Sequence, residues 1–115
     1  MPAPVDIERL EAFCDGTAAG LRAVVEIFLT DTLETLTELD RAVARADLDT
    51  VRLLAHRAGG SSAACGAGSL AALLGRIEMS RSLEEDGVPD LIHDVLDEFS
   101  VVTRFLQAYV EGLPA

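Results

Sequence analysis

The sequence predicts an all-α fold, an antiparallel four-helix bundle with a short additional N-terminal helix. Half of the 115 residues are apolar but only 4% are aromatic, so aliphatic side chains and alanine must build the core. That composition suits packed helices better than a sheet sandwich. Apolar residues also recur at three- and four-residue steps, the period of a helix face. Short turns between such helices favour an antiparallel bundle, and the length favours one domain over residues 1–115.

The first two helices are marked by their start signals. The segment DIERLEAF predicts a short helix after Pro4. Asp15 and Gly16 then form a turn, and Thr17 is placed to cap a long second helix that ends near Arg45–Ala46. The apolar stripe of this second helix comprises Leu21, Val25, Phe28, Thr32, Leu36, Leu39 and Val43.

Three further helices follow. Asp47 is the expected N-cap of the third, which Gly66 should end, and its core-facing residues are predicted to be Val51, Leu54, Ala55, Ala58 and Ser62. The fourth should stop around Asp86–Gly87, and it is marked by Leu70, Leu73, Leu74, Ile77 and Arg81. Pro89 is expected at the first position of the last helix, whose apolar face runs from Leu91 to Tyr109.

Charge and cysteine content exclude several classes of protein. The net charge of −11 and nine scattered cationic residues argue against nucleic-acid binding. Cys14 and Cys65 lie outside any CxxC pattern, so neither a disulfide framework nor a metal site is expected, and a reducing cytoplasmic location fits best. The uncharged stretch from Ala58 to Gly75 is rich in glycine and serine, so membrane insertion is not expected.

The segment AHRAGGSSAACGAGSL departs from ordinary bundle composition. Two adjacent glycines inside a helix cost about 2 kcal/mol relative to alanines. Helical spacing places five residues on one face, namely Arg52, His56, Gly59, Gly60 and Ala63. Such a bare strip would let another protein approach a reactive imidazole closely. The alternative is that the small residues serve only tight packing against a neighbouring helix.

The same segment resembles the motif AHxLKGSSxxxGAxxL of histidine-containing phosphotransfer domains. The matching residues are Ala55, His56, Gly60, Ser61, Ser62, Gly66, Ala67 and Leu70, and Glu78 stands where the next helix of the family often carries an acid. Arg57 falls at the motif's variable position, whereas Ala58 and Gly59 depart from the motif. The similarity extends to the long helix before the histidine.

The resemblance implies a phosphocarrier without kinase activity of its own. His56 would take a phosphoryl group from the aspartate of a receiver domain and pass it to another receiver. The implied partners are response-regulator receiver domains, with a hybrid histidine kinase as a further candidate. Binding to them would use Arg52, Arg57, Gly59, Gly60 and Ala63, while Ser61, Ser62 and Gly66 support the site. The chain itself would hold no cofactor, and the receiver would bring Mg²⁺.

One departure from the family concerns a cation. The family usually has lysine three residues after the histidine, where this chain has Gly59, and the chain contains no lysine. Arg52, one turn earlier on the same face, is the first candidate to replace it, and Arg57, Arg76 and Arg81 are the others. The alternative is an adaptor that binds receivers without transferring phosphate.

Three weaker patterns carry less weight. The segment from Gly66 to Ala71 matches a glycine-rich dinucleotide-binding pattern, but no strand precedes it. His93 follows Asp90 by three residues, a spacing found in metal-binding bundles. One such pair supplies too few ligands for a metal site of that kind. Cys65 is interpreted as a small buried hydrophobic residue.

Overall fold

The computed structural model describes residues 3–114, which form five helices and no strand. The helices are α1 (Ile7–Phe13), α2 (Ala18–Ala44), α3 (Leu48–Ala64), α4 (Gly68–Glu78) and α5 (Val88–Glu111). From α2 onward each helix packs against the next along the chain, and α5 closes the bundle against α2. The predicted all-α bundle with a short N-terminal helix is confirmed.

The first three helices begin at side chains that satisfy free backbone N–H groups. Thr17 Oγ1 accepts a hydrogen bond from the Gly20 N–H at 2.9 Å, as the sequence predicts. Asp47 caps α3 through both carboxylate oxygens, accepting from the N–H and the hydroxyl of Thr50 at 3.2 and 2.7 Å. These two bonds lower the pKa of the Asp47 carboxyl.

The core fixes the rotation of α3. Val51, Leu54, Ala55 and Ala58 are all buried, as predicted, and they pack among buried leucines of α2 and α4. Burying a side chain of this kind contributes about 1.5–3 kcal/mol for leucine or valine. The opposite face of α3 therefore points to solvent, and His56 lies on it.

The fourth helix is shorter than predicted. It ends at Glu78, not around Asp86–Gly87, so Arg81 lies outside it. The Asp86 carboxylate accepts hydrogen bonds from the backbone N–H groups of Arg81 and Ser82 at 2.7 and 3.0 Å. These side-chain bonds stabilise a turn and replace helical backbone bonds. Aspartate and serine side chains often compete with a helix in this way. Pro89 is the second residue of α5 and not the first as predicted, because α5 starts at Val88.

The short helix α1 is fastened to the end of α3. The Asp6 N–H donates to the Gly66 carbonyl at 2.8 Å, and Arg9 Nε donates to the Ala63 carbonyl at 2.9 Å. Gly66 adopts a φ of 85°, and a Cβ at this position would collide with the Asp6 carbonyl. Only glycine satisfies both the turn and the close approach of α1.

No helix within residues 3–114 combines the length and the apolar character needed to cross a bilayer.

Candidate functional site

His56 lies on the solvent-facing side of α3, and 71% of its side chain is exposed. Its immediate neighbour Ala55 and the residue two positions on, Ala58, are buried, so the core holds the helix in the orientation that presents the imidazole. An exposed ring on a rigid helix can be reached by a group carried on another molecule.

One ring nitrogen of His56 is held by Glu78. The distance from His56 Nδ1 to Glu78 Oε2 is 2.8 Å. Because an ionised carboxylate only accepts hydrogen bonds, Nδ1 must carry the hydrogen in this contact. The neutral ring then has its lone pair on Nε2. Glu78 is the last residue of α4, and the packing of α4 against α3 places it beside the middle of α3.

Gly59 and Gly60 face different neighbours. A methyl group built on Gly59 would lie 3.5 Å from Cβ of Leu74, in ordinary contact with α4, whereas one on Gly60 would meet no atom within 4 Å. A side chain could therefore be accommodated at either position, against α4 at Gly59 and in open space at Gly60, so packing within the fold requires neither glycine. The five predicted residues form one strip, in which Gly59 borders α4 and Gly60 faces open space.

An apolar groove of about 440 Å³ opens beside Gly60, between α1, α2 and α3. Phe13 and Ile27 line it with 58% and 61% of their areas exposed. Ser61 also lines this groove, whereas Ser62 is fully buried and its hydroxyl donates to the Ala58 carbonyl at 2.7 Å. Of the two serines, only Ser61 is exposed to a partner.

The candidate cations are distributed around the site. Arg52 Nε donates to the Glu78 carbonyl at 3.0 Å, which places its guanidinium beside the His56–Glu78 pair. Arg57 instead lines a groove toward α2 with Asp31. The candidates on and after α4 lie elsewhere: Arg76 lines a groove with Asp86 and Leu91, and the backbone of Arg81 is bonded to Asp86.

The remaining predicted positions lie apart from His56. Ala63 is exposed two turns further along α3, and its carbonyl accepts the bond from Arg9. His93 is exposed on α5. Cys65 is buried, and its burial raises the pKa of the thiol to about 11. Among residues 3–114 no group of three or more His, Cys, Asp or Glu side chains is arranged to hold a metal ion.

Glu78 is the residue to which the sequence assigned no role. It entered only as an acid at a position where the related family often has one. The antiparallel pairing of α3 and α4 across the turn at Gly66 could have suggested its partner, because His56 and Glu78 lie equally far along the chain from Ala67. Arg9 was missed as well, because a bond to the carbonyl of Ala63 leaves no sequence signal.

The comparisons with known proteins agree with this architecture. The family model described as Hpt domain matches residues 23–112. The crystal structure of histidine-containing phosphotransfer protein B from Pseudomonas aeruginosa superposes with a TM-score of 0.86 at 22% identity, covering 99% of this chain and 100% of that one. This similarity shows the fold. A comparison with curated proteins found no match. Because the family model spans most of the sequence, the chain belongs to the Hpt domain family.

Proposed function

We propose that His56 accepts a phosphoryl group from the aspartate of one receiver domain and passes it to another. Family membership gives the general class, a histidine phosphotransfer carrier of phosphorelays. The observation that carries the finer proposal is the exposed imidazole whose Nδ1 is bonded to Glu78 while Nε2 points away from that bond. A neutral imidazole in this state is a nucleophile at the pH of the cell.

The transfer step needs no separate base. The Nε2 lone pair of His56 attacks the phosphorus of the receiver's acyl phosphate, the N–P bond forms, and the aspartate carboxylate leaves with the electrons of the broken O–P bond. The hydrogen on Nδ1 stays in place, and the Glu78 carboxylate balances the positive charge that the phosphorylated ring acquires. The reverse step delivers the group to a second receiver.

The receiver is the partner that completes the chemistry. The proposal assigns to it the reacting aspartate and the Mg²⁺ that neutralises phosphate charge during transfer. The apolar groove with the exposed side chains Phe13 and Ile27 lies next to Gly60, so a receiver that covers it also covers the surface beside His56. We place this exchange in the cytoplasm, where two unpaired cysteines remain reduced.

A second candidate is a receiver-binding adaptor that transfers no phosphate. The specific observation in its favour is Gly59, which removes the cation usual at that position of the family. In this case the same surface docks a receiver, and His56 stays unmodified.

The test is phosphoryl exchange with purified receivers. Each receiver domain of the source organism is phosphorylated with radiolabelled acetyl phosphate and Mg²⁺, and the chain is then added. The expected result is an acid-labile, base-stable label on the chain that is absent from His56→Gln. His93→Gln is the matched control, because that imidazole is also exposed but lies on α5, and it should keep the label.

Three outcomes decide between the candidates. Label on His56 that a second receiver removes supports the carrier. Binding of a receiver without label supports the adaptor. A label that persists in His56→Gln contradicts the assignment of the phosphoacceptor.

A further inference from the structure

A phosphoryl group on His56 would need a positive charge that this chain does not place where its family does. The phosphoryl oxygens carry negative charge, and the chain has a net charge of −11 and no lysine. Gly59 holds the usual position of the cation, and it faces Leu74 of α4 without a side chain of its own. A charge held near the reacting atoms stabilises the charge that spreads over the oxygens during transfer.

Arg52 is held beside the imidazole by a direct chain of contacts. Its Nε donates to the main-chain oxygen of Glu78 at 3.0 Å, and the carboxylate of the same glutamate lies 2.8 Å from His56 Nδ1. Arg52 and His56 are four residues apart on α3, so they are neighbours on one helix face. One residue at the end of α4 thus holds both side chains.

The contact through Nε leaves the end of the Arg52 guanidinium available. Within residues 3–114 neither Nη group of Arg52 makes a hydrogen bond, and the side chain is exposed. Each Nη carries two N–H donors in the plane of the fork, the geometry that suits two oxygens of a phosphoryl group. A guanidinium fixed at Nε also loses less freedom when its other donors bind.

The other nearby arginines are placed less well. Arg57 lines a different groove, whose lining also includes Asp31 and Glu34. Arg9 is bonded to the Ala63 carbonyl, two turns from His56. Arg76 lines a groove with Asp86.

We propose that Arg52 is the cation that binds the phosphoryl oxygens at His56 and takes the place of the missing lysine. The inference rests on the proposed phosphoryl transfer to His56. As the N–P bond to Nε2 forms and the bond from phosphorus to the donor atom breaks, the Nη donors of Arg52 bind the non-bridging oxygens. The donor atom leaves with the electron pair of its bond, and Arg52 keeps its protons.

The first experiment measures the labelling rate of His56 in Arg52→Gln with two phosphodonors. One is the receiver that labels the wild-type chain, and the other is phosphoramidate, which releases ammonia and needs no docking. We expect labelling to slow about tenfold with both donors, because a charge-assisted bond to the reacting group is lost. Arg104→Gln is the control, since Arg104 is exposed on α5, which packs against α2 and α4.

The second experiment restores the charge from the family position. A lysine at residue 59 can be accommodated, because its Cβ would make only ordinary contact with Leu74. We expect Gly59→Lys to recover most of the lost rate when it is added to Arg52→Gln. A purely structural role of Arg52 at the end of α4 would not be rescued in this way, and thermal unfolding of each variant measures that role separately.

The outcomes separate this inference from the proposed function. Wild-type rates in Arg52→Gln overturn the inference, as does a loss seen only with the receiver, which would mean that Arg52 acts in docking. A loss with both donors that Gly59→Lys does not repair also overturns it. If receivers never label the wild-type chain, the receiver exchange fails, and the phosphoramidate rates still decide whether Arg52 binds the phosphoryl group.

Discussion

At the scale of single residues, the contact between His56 and Glu78 determines which nitrogen is available to react. The carboxylate binds Nδ1 at 2.8 Å, and 38% of the Glu78 side chain is exposed. Solvent therefore screens this pair, so its value lies in orienting the ring more than in stabilising the fold. The same residue supplies the backbone carbonyl that fixes Arg52.

We expect Glu78→Ala to slow the phosphoramidate labelling of His56 about tenfold, because the ring loses a charge-assisted bond and populates the other tautomer. Glu78→Gln should reduce the labelling rate less, since its amide oxygen still accepts a hydrogen bond from the Nδ1 hydrogen. Nitrogen NMR of the imidazole measures the tautomer directly. Glu85→Ala, in the exposed loop before α5, is the control. Wild-type rates and an unchanged tautomer in Glu78→Ala would show that the contact has no such role.

At the scale of the helix, two glycines in and just after α3, Gly60 and Gly66, have opposite structural roles. Gly60 lies in the helix interior with open space around it, so nothing in the fold requires the absence of a side chain there. Gly66 lies just beyond the C-cap residue of α3 with a φ of 85°, and the backbone of Asp6 occupies the position that its Cβ would take. Helix propensity therefore opposes the first glycine, and conformation requires the second.

We expect Gly60→Ala to raise the free energy of unfolding by about 1 kcal/mol, which corresponds to an increase of about 4 °C in the melting temperature. The same change at Gly66 should lower the free energy of unfolding by more than about 2 kcal/mol, because it adds a left-handed conformation and a collision. Urea denaturation of the two variants checks both signs. A loss of stability in Gly60→Ala would mean that this face of α3 is more crowded than the structure shows.

At the scale of the whole molecule, the absence of lysine simplifies the response to high pH. The side chains left to titrate around pH 9–11 are those of Cys14, Cys65 and Tyr109. Burial, the largest cause for each, raises the pKa of all three, and that of Cys65 reaches about 11. The folded protein thus keeps the Cys65 proton at a pH at which the unfolded chain has lost it.

The free energy of unfolding should therefore fall as the pH rises from about 9 to about 11. The sign follows from linkage, since in this range the folded state binds more protons than the unfolded state. Cys65→Ala should make this fall shallower, although it also lowers stability at neutral pH through lost packing. Urea denaturation across this range measures the slope. An equal slope in Cys65→Ala and in the wild-type chain would contradict the prediction.

The sequence predicts well what local interactions decide. The caps Thr17 and Asp47 and the buried face of α3 follow from residue spacing and backbone propensity, and the structure confirms them. The predicted end of α4 was wrong. The Asp86 carboxylate accepts hydrogen bonds from two backbone N–H groups, and these bonds depend on how the loop after α4 folds back. The good helix formers between Met79 and Glu85 by themselves favour continuing the helix there.

For the site, the sequence by itself determined the exposed histidine, the small residues around it and the lack of a lysine. Only the tertiary structure decided that Glu78 holds Nδ1, that the side chain of Arg52 reaches the end of α4, and that Gly59 borders α4 whereas Gly60 faces open space. Helix periodicity fixes which residues of one helix share a face. The height and rotation at which two helices meet depend on how their core side chains interlock, and a single sequence pattern does not contain that information.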